Sequence, residues 1–198
     1  MSTTMVPDDM VPGLDFCAER YQATYNTHWV TRPDVLFTAR RSGRVVSTVG
    51  LELGSKRAEI DAEHYFLLSP GMRAFLDGHR SRIAEFGRFA SDDWAGTRAV
   101  VHASIAFMRQ SGIEFFFAFA PPGVYLHMRD HLGIPLCSID VPVNQLVVQT
   151  DTSWSVPPID YFLREQAPHV VVGIVPFLDV VDHRLALESG TSPLSFLI

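Results

Sequence analysis

The chain has 198 residues, of which 47% are hydrophobic and 19% charged, a balance typical of a compact globular domain rather than a disordered chain. Its net charge of −6 provides no general attraction to nucleic acid or anionic membranes, and its two cysteines are too few for a disulfide framework. No apolar run reaches the ~18 residues of a membrane span, and the first residues do not resemble a signal peptide. We therefore expect a cytoplasmic protein with neither nucleic-acid nor membrane partners.

The chain is predicted to consist of a flexible tail at residues 1–13 and one domain over residues 14–198. Alternating apolar residues and a turn at 41–44 predict a β-hairpin, in which Gly43 supplies a positive φ. The predicted elements here are a helix, two paired strands and a second helix: Asp15–Asn26, Val35–Ala39 with Val45–Leu53, and Pro70–Arg80.

The centre of the chain reads as a βαβ unit. Ile83–Ala90 is predicted to be a strand, Ala95–Gln110 a helix and Glu114–Ala120 a second, almost wholly apolar strand. The helix has apolar residues at the i, i+4, i+7 spacing of a buried face, namely Val101, Ile105 and Met108.

The last third carries no motif that we can assign, and we expect it to complete the sheet. Its predicted elements are a helix, two strands, a helix, a strand and a closing helix: Val124–Leu132, Cys137–Val141, Gln145–Gln149, Ile159–Gln166, Val170–Val175 and Phe177–Glu188. The apolar end, Pro193–Ile198, is interpreted either as a buried strand or as a contact in a homodimer.

One segment of the central strand resembles a family motif. Glu85-Phe86-Gly87-Arg88-Phe89-Ala90 is similar to the Glu-x-x-Arg-Phe motif of acyl-homoserine-lactone synthases, and N-acyl amino acid synthases and the thermostable haemolysin family have comparable segments. The resemblance covers roughly residues 18–140. It extends to further matching positions: Arg20, Tyr25, Trp29, Asp34 and Met128–Ile134.

This resemblance implies a fold and an activity. The fold would be α/β, a GNAT-like three-layer α-β-α arrangement with a mixed, centrally splayed sheet. The activity would be N-acyl transfer from a thioester of acyl carrier protein or coenzyme A to the amine of a small metabolite or amino acid. The thioester would be a co-substrate rather than a permanently bound cofactor, and acyl carrier protein a candidate partner. The alternative is a non-catalytic GNAT-fold module that binds an acyl thioester or lipid.

The sequence departs from the family pattern at three places. The pair of aspartates before the first strand of the synthases is reduced to Asp34. The pyrophosphate loop of GNAT proteins is represented only by Trp94-Ala95-Gly96-Thr97, and Arg129 stands where many GNAT enzymes have a general-acid tyrosine. These departures concern two parts of the reaction: the binding of coenzyme A as the donor carrier and the protonation of the leaving thiolate.

Glu85 and Arg88 are the candidate catalytic residues. Thioester aminolysis needs a neutral amine and a polarised carbonyl. Strict alternation would put Glu85 and Arg88 on opposite faces, but a bulge at Gly87 would bring them to one face, where they could pair. Glu85 would then orient the amine or deprotonate it through water, and Arg88 would fix Glu85 or a carboxylate of the substrate. Gly87, Phe89 and Ala90 would contact the thioester. The alternative is a structural Glu–Arg pair.

Other candidate contacts come from the helix start and from aromatic side chains. Gly96 and Thr97 would bind the phosphate of phosphopantetheine at the helix N-terminus, or the helix would have an ordinary cap from Ser91, Asp92 or Asp93. The aromatic side chains would contact substrate or pack in the core: Tyr25, Trp29 and Phe117.

We predict no metal site. His127 and His131 lie four residues apart, but the glutamate of a zinc-binding His-Glu-x-x-His motif is absent, so a solvated helix face is expected.

Overall fold

A computed structural model of the chain describes residues 2–4, 10–163 and 168–178. Its seven strands form one sheet in the order β1-β2-β3-β4-β5-β7-β6. The strands are β1 (Ser2–Thr4), β2 (Val35–Arg41), β3 (Arg44–Leu53), β4 (Ile83–Ser91), β5 (Phe115–Ala120), β6 (Leu136–Ile139) and β7 (His169–Ile174). Because β4 and β5 pair in parallel and the other described neighbours pair antiparallel, the sheet is mixed, as predicted.

Helices cover both faces of this sheet. They are α1 (Met10–Tyr25), α2 (Asp61–Tyr65), α3 (Pro70–His79), α4 (Trp94–Gln110), α5 (Pro122–Asp130), α6 (Gln145–Thr150) and α7 (Ile159–Phe162), with short 3-10 turns at Gly54–Lys56, Arg80–Arg82 and Val175–Leu178. None of the helices in the described ranges combines the length and the apolar character that crossing a bilayer requires.

The core has two parts, one on each side of the sheet. Side chains of α4 and α5 pack on one face with Phe116 and Ala118 of β5. Residues of the other helices pack on the opposite face with Phe117. Because successive side chains of β5 enter different cores, the apolar run of this strand fills both, and the predicted three-layer arrangement is confirmed.

β4 and β5 are paired along only part of their length. Ile83–Glu85 pairs with Phe115–Phe117, and beyond these residues the two strands are not paired. The sheet is therefore splayed at its centre, as the family resemblance implied.

Three element predictions need correction. The first helix begins at Met10, inside the predicted tail, and Ser2–Thr4 pairs with β2. Gln145–Gln149 is helical, not a strand, because Asn144 caps its first turn and only Val148 of its apolar side chains is fully buried. The helix predicted at Ile159–Gln166 ends at Phe162.

Two further predictions fall largely outside the described residues. Of Phe177–Glu188, only the beginning is described, and Val175–Leu178 forms a 3-10 turn there. Pro193–Ile198 lies wholly outside the described ranges.

Candidate active site

A cavity of about 480 Å³ fills the gap where β4 and β5 separate. Its walls are formed by the second half of β4, the end of β5, and parts of α1, α4, α5 and α7. Six of the residues predicted from the sequence line it: Tyr25, Trp29, Gly87, Phe89, Ala90 and Thr97. Four others do not: Glu85, Arg88, Gly96 and Phe117.

One wall of the cavity is aromatic. The rings of Tyr21 and Trp29 lie 4.7 Å apart between centroids, and those of Tyr25 and Tyr161 lie 4.8 Å apart. Burial raises the pKa of Tyr21 and of Tyr161 well above the usual range, so both hydroxyls stay protonated at neutral pH. The Tyr161 hydroxyl donates to the Phe119 carbonyl oxygen at 3.1 Å, so the wall offers mainly apolar surface.

A β-bulge interrupts β4 beside the cavity. Thr48 pairs with Ala90 and Gly50 pairs with Gly87, so two residues of β4 stand opposite one residue of β3. The bulge was predicted, but at Gly87. The positive φ of +49° belongs instead to Arg88, a conformation that costs a non-glycine residue energy and that clusters at functional sites.

Arg88 is held in this conformation by buried polar contacts. Its guanidinium lies 2.8 Å from Glu52 Oε1 and 3.5 Å from Asp61 Oδ2, and it donates a 3.0 Å hydrogen bond to Thr31 Oγ1. It also stacks over the Trp29 ring at 4.7 Å. The predicted ion pair of Arg88 with Glu85 is therefore wrong, because β3 and α2 supply its carboxylate partners.

Glu85 lies beneath the aromatic wall with an incomplete set of hydrogen bonds. Its side chain is buried, and Oε2 accepts a 3.2 Å hydrogen bond from the Ala62 backbone N–H. Oε1 is buried without a hydrogen-bond partner. Burial, followed by the charges of Asp61 and Glu52, raises the pKa of Glu85 well above its ordinary value.

Two carboxylates of this cluster were missed by the sequence analysis. Asp61 opens α2, a helix of five residues, and no periodic pattern marks so short an element. Glu52 had a signal, because it is a single acid within the apolar strand Val49–Leu53. A charged residue at a buried strand position requires a partner, and Arg88 is that partner.

The start of α4 has an ordinary cap. The Gly96 N–H donates to Asp93 Oδ2 at 3.1 Å, and Asp93 is also bonded to Arg41 at 2.9 Å. A Cβ at Gly96 would come within 3.1 Å of Ser47 Cβ, so the glycine allows close packing against β3. This arrangement corresponds to the capping alternative, with the N–H occupied by a carboxylate.

The remaining residues named from the sequence have other surroundings. Phe117 is buried in the core on the α1 side of the sheet, and Arg129 forms an exposed pair with Asp130. His127 lines the cavity mouth with its ring 5.0 Å from that of Trp94. Over residues 2–4, 10–163 and 168–178, no group of three or more acidic, histidine or cysteine side chains is arranged to hold a metal ion.

No protein-family profile and no curated protein sequence matches this chain. Solved structures do resemble it. The N-acyl amino acid synthase FeeM from uncultured soil microbes has a TM-score of 0.59 at 10% identity, covering 91% of this chain and 98% of that one. The AHL synthase LasI has a TM-score of 0.55 at 10% identity, covering 88% and 89%.

A third structure is the coenzyme-A-dependent acyl-homoserine lactone synthase BjaI with SAM and isopentyl-CoA. Its TM-score is 0.53 at 16% identity, and the match covers 91% of this chain and 83% of that one. At such identities the likeness is one of fold. It confirms the fold that the Glu85–Phe89 segment indicated, and the chain has the GNAT-like fold of these acyltransferases.

Proposed function

We propose that the protein is an N-acyltransferase, which moves an acyl group from a thioester to the amine of a small metabolite or amino acid. The observation that carries this proposal is the cavity in the splayed sheet, which combines an open strand edge with an aromatic wall, while the same strand carries the buried carboxyl group of Glu85. The acyltransferases that share the fold support it.

The open edge of β4 suits the donor. Beyond Glu85 and Phe117, the backbone groups that β4 turns toward β5 have no partner strand. An amide-rich phosphopantetheine arm can pair with such an edge. The bulge at Arg88 leaves an extra residue outside the ladder with β3, and a free N–H there would polarise the thioester carbonyl.

Glu85 suits the removal of a proton from the acceptor amine. It is the last residue of β4 paired with β5 before the cavity opens, and its charge contributes to the raised pKa of Tyr161, which lines the cavity. A carboxylate with a raised pKa is a stronger base than an ordinary one, and Glu85 would act through a water molecule. We assign no acid step to Arg129, because it is paired with Asp130 on an exposed surface.

The acyl group could be carried to this site by either of two thioester donors. Because Asp93 occupies the Gly96 N–H, we place no phosphate there. The two candidate carriers, coenzyme A and acyl carrier protein, are separated by the assay below. The aromatic wall would hold the acyl chain or the acceptor, with Trp29 and Tyr25 in contact with it.

A non-catalytic module is the second candidate. The acidic cap at the start of α4 favours it, since a carboxylate occupies a position where many acyltransferases bind phosphate. Such a module would hold a thioester or lipid in the cavity intact.

The test incubates the purified chain with octanoyl-coenzyme A or octanoyl-acyl carrier protein and each of the twenty amino acids. Thiol release and mass spectrometry of the product are followed together. We expect thiol release that depends on the amine and that yields the N-octanoyl product. Thioester that binds but stays intact with every acceptor would support the module, and absence of binding would refute both candidates.

A blocking variant ties the activity to the cavity. Gly87→Leu places a side chain in open space at the cavity wall, because no atom lies within 4 Å of a Cβ at this position. We expect it to lower turnover at least tenfold. Gly78→Leu is the matched control, since Gly78 also has open space but lies on exposed α3. Equal activity of the two variants would place the reaction elsewhere.

A further inference from the structure

The proposed reaction has a proton balance that the buried site must meet. An acyl thioester and an alkylammonium ion give an amide, a thiol and one free proton: the C–S bond breaks, the C–N bond forms, and of the two protons lost by nitrogen one ends on sulfur. The other proton leaves the site at each turnover. Glu85, the proposed base, is only 2% exposed and cannot pass this proton directly to bulk water.

One carboxylate near the hydrogen-bond partner of Glu85 is partly exposed to solvent. Asp61 stands next to Ala62, whose backbone N–H binds Glu85 Oε2 at 3.2 Å. Arg88 joins the group, with contacts of 2.8 Å to Glu52 and 3.5 Å to Asp61. The side chain of Asp61 is 24% exposed, whereas that of Glu52 is 5% exposed.

The unpaired oxygen of Glu85 supports transfer within this cluster. Oε1 is buried with no hydrogen-bond partner in the described structure. A buried carboxyl oxygen without a partner is costly and calls for a reason. A water molecule that carries the proton from Glu85 toward Asp61 provides one, because it would hydrogen-bond to Oε1.

We infer that Asp61 relays the proton from Glu85 to solvent, as a positioning residue that acts through Glu85 and not on the substrate. This inference rests on the proposed N-acyl transfer. Asp61 takes the proton from the Glu85 carboxyl through a bridging water molecule and releases it to bulk water at its exposed edge, which returns Glu85 to the carboxylate form for the next amine.

The charges around Asp61 are consistent with this role. Burial and the nearby Glu52 charge raise its pKa to about 6, against the lowering effect of the surrounding cations. The charged and titratable groups that face it come from β3, β4, α2 and the segment before α2: Glu52, Glu85, Arg88, His64, Tyr65 and Arg57. A group that titrates near neutrality exchanges protons readily with both a buried carboxyl and water.

Kinetics of Asp61→Asn test the relay, with octanoyl-coenzyme A, or octanoyl-acyl carrier protein if that is the active donor, and the best amino acid of the panel. We expect kcat to fall about tenfold or more, while KM stays within about twofold of the wild-type value. The ratio of wild-type to variant kcat should decrease at high pH, where the amine is already neutral. Asp61→Glu should restore most of the rate. Glu63→Gln is the control, because Glu63 is another buried acid on α2 but is bonded to Arg80.

Carboxyl ¹³C NMR titration of the full chain gives a readout that needs no activity. Because the Asp61 charge raises the pKa of Glu85, Asp61→Asn should move the Glu85 titration to lower pH. An unmoved titration, or wild-type kcat in Asp61→Asn, would refute the relay. Absence of turnover by the wild type with either donor and every acceptor would refute the proposed function itself.

Discussion

Two buried glutamates, Glu63 and Glu85, lie near each other in the chain but in unlike surroundings. Both side chains are at most 5% exposed. Glu63 uses both carboxylate oxygens: Oε2 accepts the Ile60 N–H at 2.9 Å and contacts Arg80, and Oε1 accepts from Arg80 at 2.8 Å. Glu85 has one backbone donor and one unpaired oxygen.

The difference distinguishes a carboxylate that stabilises the fold from one that is suited to proton transfer. The fully hydrogen-bonded carboxylate of Glu63 joins α2 to the turn before β4, and we assign it no part in the reaction. The carboxyl groups of Glu85, Glu52 and Asp61 influence one another, and they outnumber the two guanidinium groups near them, those of Arg88 and Arg57. Such a cluster is stable only if it holds protons, and proton exchange is what amine acylation requires.

The largest expected effect is on catalysis. Glu85→Gln removes the proposed base while keeping the shape of the side chain, and we expect kcat to fall by about 10²- to 10⁴-fold. The free energy of unfolding at neutral pH should not fall, because the Ala62 N–H keeps an oxygen partner and a neutral amide replaces a buried carboxyl whose pKa is raised in the folded protein. Thiol-release kinetics and urea denaturation check the two statements. Normal turnover would exclude Glu85 from the mechanism.

Arg88→Met tests whether the cluster depends on its one central cation. Glu52 and Asp61 would lose their buried partner, with only Arg57 left at 4.0 Å from Glu52, and we expect a loss of about 3 kcal/mol in the free energy of unfolding at pH 7. The loss should shrink at about pH 5, where Asp61, whose pKa is raised to about 6, is protonated. Arg82→Met is the control: its pair with Glu114 is exposed, and we expect a cost below about 1 kcal/mol. Equal losses would argue against a special role for the buried cluster.

Glu63→Gln should reverse the pattern of Glu85→Gln. It weakens the pair with Arg80 and leaves that guanidinium with Asp77 alone, so we expect a loss of about 2 kcal/mol in unfolding free energy. Turnover measured below the melting transition should stay within about threefold of wild type. A fall in kcat comparable to that of Glu85→Gln would remove the distinction between the two glutamates.

The smallest expected effect is on the pH dependence of stability. The folded pKa of Asp61, about 6, lies above its ordinary value of 3.8, so between these values the folded protein binds more protons than the unfolded chain. This contribution is present at low pH and is lost as pH rises through about 6. We expect the free energy of unfolding of Asp61→Asn, relative to that of the wild type, to rise by about 2 kcal/mol between pH 4 and pH 7. Urea denaturation at several pH values measures this difference, and parallel curves would contradict it.

The bulge shows how much of the site the sequence could predict. The Glu-x-x-Arg-Phe segment indicated a bulge in the central strand, and one is present, with its positive φ one residue later than expected. Local sequence favours glycine for that conformation, but the buried contacts of Arg88 outweigh the preference.

The partners of Arg88 could not be predicted in the same way. Glu52 and Asp61 reach it through the register of β3 and the position of α2, which are tertiary properties. The misassigned Gln145–Gln149 has a similar cause, because a short apolar segment fits a strand or a helix equally well. Its capping by Asn144 and the burial of Val148 settle the conformation.

The position of β7 has a consequence for synthesis of the chain. β5, with the sequence Phe-Phe-Phe-Ala-Phe-Ala, pairs with β4 over only half its length and with β7 over all of it. β7 begins at His169, so the ribosome must synthesise α5, β6, α6 and α7 before it reaches this strand. Until β7 has been made, the nascent protein therefore carries an almost wholly apolar strand with one edge unpaired, and chaperone binding during that interval is the expected protection against aggregation.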